Sequence, residues 1–375
     1  MNETKASRYH RLRRRAQAVA VVSGGAMLAL LVLTPASRRL ADWSLAAGRE
    51  FYTPLQAPAA LSLFVLCAVV LWQLVALPAV LYLGLVVDRR FTRTDGTLQR
   101  VLGAHGQATA VGLAGALFAA SAMAFGAALL GAAWWLAAGG LLAAGQAVVL
   151  SLAPVLLRAA GASQAVARPG LGSRLTALAG RARVPIAGID EWRTDEPTAT
   201  AFVAGLGRTR RVFVSSQLAR EWSDDEIEVV VAHELAHHAY RDLWRALALD
   251  ACVFLAGLWM ADAILAWAAP SLGLRGPSDL AALPLVALVA GGVWLAATPI
   301  RHAQSRRQER RADRFALALT GSADAFTAAI RRLGERHLSE ERPSRLTRWL
   351  YYRHPSVAER LALAAQARLL LRLDD

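Results

Sequence analysis

Six apolar runs dominate the chain, at about residues 17–35, 59–87, 108–130, 133–157, 247–268 and 280–300. Each comes close to the roughly 20 residues that a helix needs to cross a bilayer. With 55% hydrophobic residues in 375 and a mean hydropathy of +0.35, the chain is too apolar for an ordinary soluble domain. The pattern predicts a mainly α, polytopic membrane protein with about six transmembrane helices, the third and fourth divided near residue 131.

Arginine is spread unevenly around these runs. Lys5, Arg8, Arg11, Arg13, Arg14 and Arg15 precede the first, and Arg89, Arg90, Arg93 and Arg100 follow the second. By the positive-inside rule both places are cytoplasmic, and the arginine-poorer loops at 36–58 and 269–279 face outward. Six spans then return residues 158–246 and 301–375 to the cytoplasmic side of a multi-pass protein of the cell (plasma) membrane. The basic start and Thr34-Pro35-Ala36 also have the form of a cleavable signal. Retention of the first run as an anchor keeps the even number of spans that the arginine pattern demands.

The net charge of +14 rests on 42 basic residues, of which Lys5 is the only lysine. Dispersal through loops that flank the apolar runs predicts contact with anionic membrane lipid rather than with nucleic acid, because no nucleic-acid-binding module accompanies the charge. Cys67 and Cys252 are the only cysteines. Both fall in apolar runs, which excludes a disulfide framework or a thiolate metal site.

The chemistry is concentrated at His233-Glu234-Leu235-Ala236-His237. Ser223-Asp224-Asp225-Glu226 has the form of a capping box and opens an apolar run through Ile227, Val229, Val230 and Val231, so the motif is predicted on a helix. At 3.6 residues per turn His233 and His237 share one face and can reach one ion. Glu234 is offset enough to hold a water instead. This is the HExxH arrangement of a zinc hydrolase, with one Zn2+ per chain.

Catalytic zinc takes three protein ligands and leaves a position for water. The best third ligand is Glu309, in Arg306-Arg307-Gln308-Glu309-Arg310-Arg311-Ala312-Asp313. The segment continues into Phe315-Ala316-Leu317-Ala318-Leu319 and reads as a helix that sets Glu309 and Asp313 one turn apart. Asp313 would accept a hydrogen bond from a zinc-bound histidine and fix its ring. His238, a quarter turn from His237, and His302, beside the sixth run, fit less well as ligands. Asp250 and Asp262, near the ends of the fifth run, read as helix-end charges that reach water.

HExxH, then an apolar hairpin, then ExxAD, then His354-Pro355-Ser356 with Glu359-Arg360 resembles the M48 family of membrane zinc endopeptidases, over about residues 165–362. The resemblance is closer to the CAAX prenyl protease 1 branch than to the shorter HtpX branch. Two places depart from the family pattern: Thr200-Ala201 stands where it has Asn-Ala, and the stretch after the second run is reduced to Arg89-Arg90-Phe91-Thr92-Arg93. The resemblance implies a zincin-like α+β catalytic domain with a small sheet, and places His354 and Arg360 near the cleft, steadying the substrate carbonyl or oxyanion. It also implies that Arg211-Val212-Phe213-Val214 forms a sheet edge beside the zinc cleft, which takes a protein or peptide substrate as an added strand.

The expected organisation is a membrane region over 1–157, catalytic parts over 158–246 and 301–375, and a transmembrane hairpin over 247–300. Helices are predicted at Leu171–Arg181, Ala303–Leu319, Ala323–Leu333 and Val357–Leu371, and short strands at Val184–Ile186 and Arg211–Val214. The leading expectation is a zinc endopeptidase acting on membrane-associated or misfolded proteins, with Glu234 taking a proton from the attacking water and later delivering one to the leaving amine. The alternatives are a sensor-transducer protease resembling the M56 group and a non-catalytic, zinc-retaining membrane scaffold.

Overall fold

The computed structural model describes residues 4–91, 96–159, 161–193, 199–336, 338, 340 and 343–371; Thr92 and Arg93 of the basic loop lie outside them. The chain forms two compact units, Met1–Ala144 with Asp250–Ala297, and Gly145–Leu249 with Thr298–Asp375. The polar stretches on either side of the last apolar hairpin therefore share one folded body.

The first unit is helical. It starts with α1 (Lys5–Leu33), α2 (Ala36–Gly48) and α3 (Gln56–Leu81), and α3 runs on through a wider turn at Tyr82–Asp88 into the short α4 (Arg89–Phe91). Sequence pattern alone predicts a loop over 36–58, but α2 occupies much of it. Ser37, Ala41, Ser44 and Gly48 recur at helical spacing and all are buried. Because these residues are small, the stripe gives little hydrophobic signal; what it permits is close approach. A Cβ on Gly48 would stand 2.8 Å from the Gln56 carbonyl oxygen.

The helices α5 (Leu98–Leu130) and α6 (Trp134–Ala159) fold back on one another. Gly131 turns the chain at φ +53°. A Cβ on Gly126 would lie 2.6 Å from the Trp134 carbonyl oxygen, whereas a straight helix would hold those residues about 12 Å apart. Met123, Trp134 and Ala138 share a core with Leu258, Ala261 and Val286, which come from Asp242–Leu272 and Leu283–Ala296, α10 and α11 in chain order. Trp134 Nε1 donates to Asp262 Oδ1 at 2.6 Å, so this carboxylate serves a buried indole rather than the water expected at a helix end.

Outward faces of these helices are apolar, with Val22, Leu74, Val111, Leu129 and Trp267 exposed. By length and composition Lys5–Leu33, Thr53–Phe91, Leu98–Ala159 and Asp242–Leu272 can cross a membrane, and Leu280–Ala296 with Thr298–Thr320 qualifies as a pair. The third of these contains the α5–α6 reversal.

The second unit holds a four-stranded sheet in the order β1 (Ser163–Ala165), β2 (Gly188–Trp192), β4 (Arg211–Ser215), β3 (Ala201–Ala204). β2 and β4 run parallel, and the outer pairs are antiparallel. Two strand expectations are corrected. Val184–Ile186 is not a strand, because the Val184 N–H bonds back to the Ala179 carbonyl at 3.0 Å as α7 (Leu171–Arg181) ends, and Pro185 has no N–H to offer a neighbour. Arg211–Val214 is a strand but not an edge. Its Val212, Phe213 and Val214 are fully buried, between β2 and β3, and the edges are β1 and β3.

Helices pack this sheet. Leu171, Leu175 and Leu178 of α7 join Leu218 of α8 (Ser216–Glu221), and Ile227, Val231 and Leu235 of α9 (Asp224–Ala239), in one core. Ala316 from α12 (Thr298–Thr320) and Phe326 and Ala329 from α13 (Ala323–Arg336) complete it. The chain then runs through α14 (Arg345–Tyr351) into α15 (Val357–Leu371).

The capping box forms. Ser223 Oγ accepts from the Glu226 N–H at 3.3 Å, Glu226 Oε2 accepts from the Ser223 N–H at 2.9 Å, and Arg332 of α13 donates to the same carboxylate at 3.0 Å. Ser223→Ala is expected to cost about 1 kcal/mol, which lowers the melting temperature of a body this size by about 2–4 °C. An unchanged thermal scan would show that another residue takes over the cap.

Candidate metal centre

α9 and α12 pack side by side and bring three side chains together. His233, His237 and Glu309 each present one ligand atom, and these atoms all lie within 4.8 Å of one another. Glu309 Oε2 is 3.1 Å from His233 Nε2, and Oε1 is 3.5 Å from His237 Nε2. The two rings stand edge to face, 5.1 Å between centroids.

Each ring is backed at its other nitrogen. Asp313 Oδ1 lies 2.9 Å from His233 Nδ1, and Arg360 holds that aspartate with both arms of its fork, Nε to Oδ2 at 2.9 Å and Nη2 to Oδ1 at 2.5 Å. Arg360 is thus placed to steady Asp313 and, through it, the His233 ring. Asp242 Oδ2 lies 3.1 Å from His237 Nδ1, and the guanidinium of Arg311 closes on Oδ1. Sequence reasoning passes over Asp242, because a residue five beyond His237 falls off its helix face. It returns to the ring because Arg241, at φ +56°, ends one helix and α10 begins at Asp242. An acid just past the second histidine was the available signal. Such carboxylate–imidazole partners set the tautomer that leaves Nε2 free to ligate. Asp242→Asn is expected to weaken metal retention about 10–100-fold in chelator competition; unchanged affinity would mean that Asp242 serves only its arginines.

The donor set fits a metal ion. Two imidazole nitrogens and one carboxylate oxygen converge, with Glu309, Asp313 and Asp242 supplying negative charge around them. Burial disfavours charge on His233, but Asp313 and Glu309 outweigh it and push its pKa up to about 10. Burial alone would raise Glu309, yet the rings of His233 and His354 override it and hold the carboxylate well below its usual range. Glu234 goes the other way, since burial outweighs the neighbouring imidazoles and raises it.

A cavity of about 530 Å³ opens over the cluster and is lined by His233, Glu234, Thr200, Ala201, His354 and Arg360 among others. His354 Nδ1 sits 2.8 Å from Glu309 Oε2 on a side chain that is 64% exposed. Its segment is fixed by buried Arg306, which donates to the carbonyls of Arg348 at 3.0 Å and Tyr352 at 2.7 Å. His238 stands apart from the cluster. Its Nε2 donates to the Val203 carbonyl of β3 at 3.2 Å, and burial pushes its pKa down to about 4, so it is a neutral tie between the histidine helix and the sheet edge. His302 is buried on α12 and takes no part in the cluster.

The model of peptidase family M48 matches residues 170–368, more than half of the chain. The chain belongs to peptidase family M48. A second model, described as CAAX prenyl protease N-terminal, five membrane helices, matches residues 2–158. An uncharacterized metalloprotease, YhfN of Bacillus subtilis, is 30% identical over 197 residues, 51% of this chain and 46% of its own. Protease HtpX of Xylella fastidiosa is 31% identical over 186 residues, 45% of this chain and 63% of its own. The chain therefore spans about half to under two thirds of the length of these M48 relatives. Ste24p of S. mikatae superposes with a TM-score of 0.77 over 96% of this chain and 87% of that chain, at 17% identity, a likeness of fold. The chain thus carries an M48 match and, ahead of it, a CAAX prenyl protease N-terminal match.

Proposed function

We propose that this M48 member is an integral membrane zinc endopeptidase, hydrolysing peptide bonds of membrane-associated or misfolded proteins at the cytoplasmic face of the cell membrane. The observation that carries the reading is the convergence of His233, His237 and Glu309, with Glu234 facing the same cavity as Ala201, the first residue of β3. Zinc suits two imidazoles, one carboxylate and an open position better than harder cations do. The cytoplasmic side is supported by the arginines around the apolar helices α1, α3, α5, α6, α10 and α11, read as six spans.

When bound, Zn2+ supplies polarisation of the scissile carbonyl and a lowered pKa for water. His233, His237 and Glu309 hold it. Glu234 accepts the proton of the attacking water and carries one to the leaving amine. His354, exposed above the cluster, is the group that can donate to the substrate oxygen. Arg360, committed to Asp313, acts as a positioning residue.

The substrate binds as a strand added to β3. Ser215 N–H donates to the Thr200 carbonyl at 2.9 Å, and with Ala201 facing Val214 in register the antiparallel alternation turns the N–H and C=O of Ala201 and Val203 outward. The Val203 carbonyl is taken by His238 and the Ala201 carbonyl accepts from the Thr200 hydroxyl at 3.4 Å; the Ala201 N–H, on the residue of β3 that lines the cavity, is the donor left for pairing. Ala201→Pro removes its donor, and kcat/KM for an extended peptide is expected to fall about tenfold, the worth of one hydrogen bond, with zinc content unchanged. Equal kcat/KM would remove β3 as the docking edge.

The reading is tested on detergent-purified protein with an unfolded test protein. Cleavage that stops on chelation and returns with zinc is expected. Zinc bound at His233, His237 and Glu309 without any cleavage would leave the zinc-retaining scaffold instead.

A further inference from the structure

A second cavity, of about 760 Å³, lies on another face of α12. Arg245 and Ala248 line it from the first turns of α10, Pro299 through Arg311 from α12, and Trp349 from α14. Its chemistry is graded along the helices. Ala248 leads into the apolar run of α10, and Pro299 and Ile300 follow directly on α11. Arg307 and Arg311 lie about 10–16 Å further along α12. No carboxylate is among the lining residues.

The cations there are under-used. Arg307 is exposed and has no partner among the described residues. Arg311 Nε is buried without a hydrogen-bond partner among the described residues, although another arm of the same guanidinium holds Asp242. Arg245 Nη1 stands 3.5 Å from Asp242 on a side chain that is 55% exposed. Arg245 and Arg311 thus share one carboxylate, Asp242, while Arg307 adds a charge that no described carboxylate meets, and the surplus is positive. Guanidinium forks match phosphate oxygens. Trp349 and Leu346, three residues apart on α14, are both exposed, the amphipathic presentation that suits a bilayer interface.

We infer that this cavity binds the phosphate headgroup of an anionic phospholipid on Arg245, Arg307 and Arg311, with the acyl chains leaving past Ala248, Pro299 and Ile300. The apolar end matches the acyl chains and the cationic end matches the phosphate, a gradient that a small soluble anion would not use. Because Arg245 and Arg311 also contact the carboxylate beside His237, Arg307 is the residue that tests the site without touching the metal cluster.

The test uses the full chain, purified in detergent and stripped of lipid, with dioleoylphosphatidylglycerol as the probe and dioleoylphosphatidylcholine as its zwitterionic counterpart. Bound lipid is counted by native mass spectrometry. Wild type is expected to retain the anionic lipid about tenfold better than the zwitterionic one, and Arg307→Glu to lose that preference with zinc content unchanged. Ala303→Trp, which fills the cavity without altering charge, should also lose it, while Arg310→Glu, on the exposed surface outside the cavity, should keep it. Equal retention of both lipids by wild type, or a preference that survives both cavity variants, would overturn the site. A loss as large in Arg310→Glu would reduce it to diffuse surface charge, and displacement of the lipid by millimolar inorganic phosphate would assign the cavity to a soluble anion.

Discussion

Glu234→Gln is expected to lower cleavage of an unfolded test protein by about 10³-fold, within the range that a positioned acid–base group supplies, while the protein still binds one zinc per chain. The separation of effects follows from position. Glu234 is not among the three side chains that converge on the metal position, so an amide of the same size leaves the ligand set intact. What the amide cannot do is take a proton from water. Glu234 lines the cavity with Thr200 and Ala201, where a carbonyl held on the sheet edge would be attacked. Loss of zinc together with activity would make Glu234 a structural support of the metal. Normal cleavage would move the base elsewhere, with His354 the next group to test.

The parts of the site that were legible in the sequence are those whose signal is local. Ser223 and Glu226 announce the start of α9, and the spacing of His233 and His237 decides which face they share. Glu309 and Asp313 carry the same kind of signal on α12. The parts that escaped are those where the chain reverses or where a long-range partner decides the outcome. Asp242 reaches His237 only because the backbone turns at Arg241. Arg360 lies 47 positions from Asp313, and nothing in its neighbourhood says that its fork is committed there.

The sheet was harder than the helices for a related reason. β1 and β3 span only 3 and 4 residues, too short for alternation to show, and β4 is buried on both faces and reads as a continuous apolar run. Whether such a run is an edge or a centre depends on which partners arrive. Here β2 and β3 both do. In the first unit the small-residue stripe of α2 was invisible for the opposite reason, since Ser, Ala and Gly bury close contacts without raising hydropathy.

Glu309→Ala is expected to abolish stable zinc binding, and with it both hydrolysis and the stabilisation that zinc confers. Two imidazoles alone make an incomplete site, because catalytic zinc is held by three protein ligands. Among the described residues Glu309 is also the one carboxylate that reaches both Nε2 atoms, at 3.1 and 3.5 Å. Asp313 and Asp242 sit behind the rings, on the Nδ1 side. The readout is the melting temperature with zinc and with chelator. A ligand that binds only the folded protein adds about 4 kcal/mol of stability at a thousandfold excess over its Kd, so wild type should melt at clearly lower temperature once zinc is removed. The variant should melt at one temperature under both conditions. Its folding should survive, because α9 and α12 are packed by Leu235, Ala316 and their neighbours independently of the metal. A zinc-dependent shift that persists in Glu309→Ala would place the third ligand elsewhere, and His354, 2.8 Å from the Glu309 carboxylate, is where it would be sought.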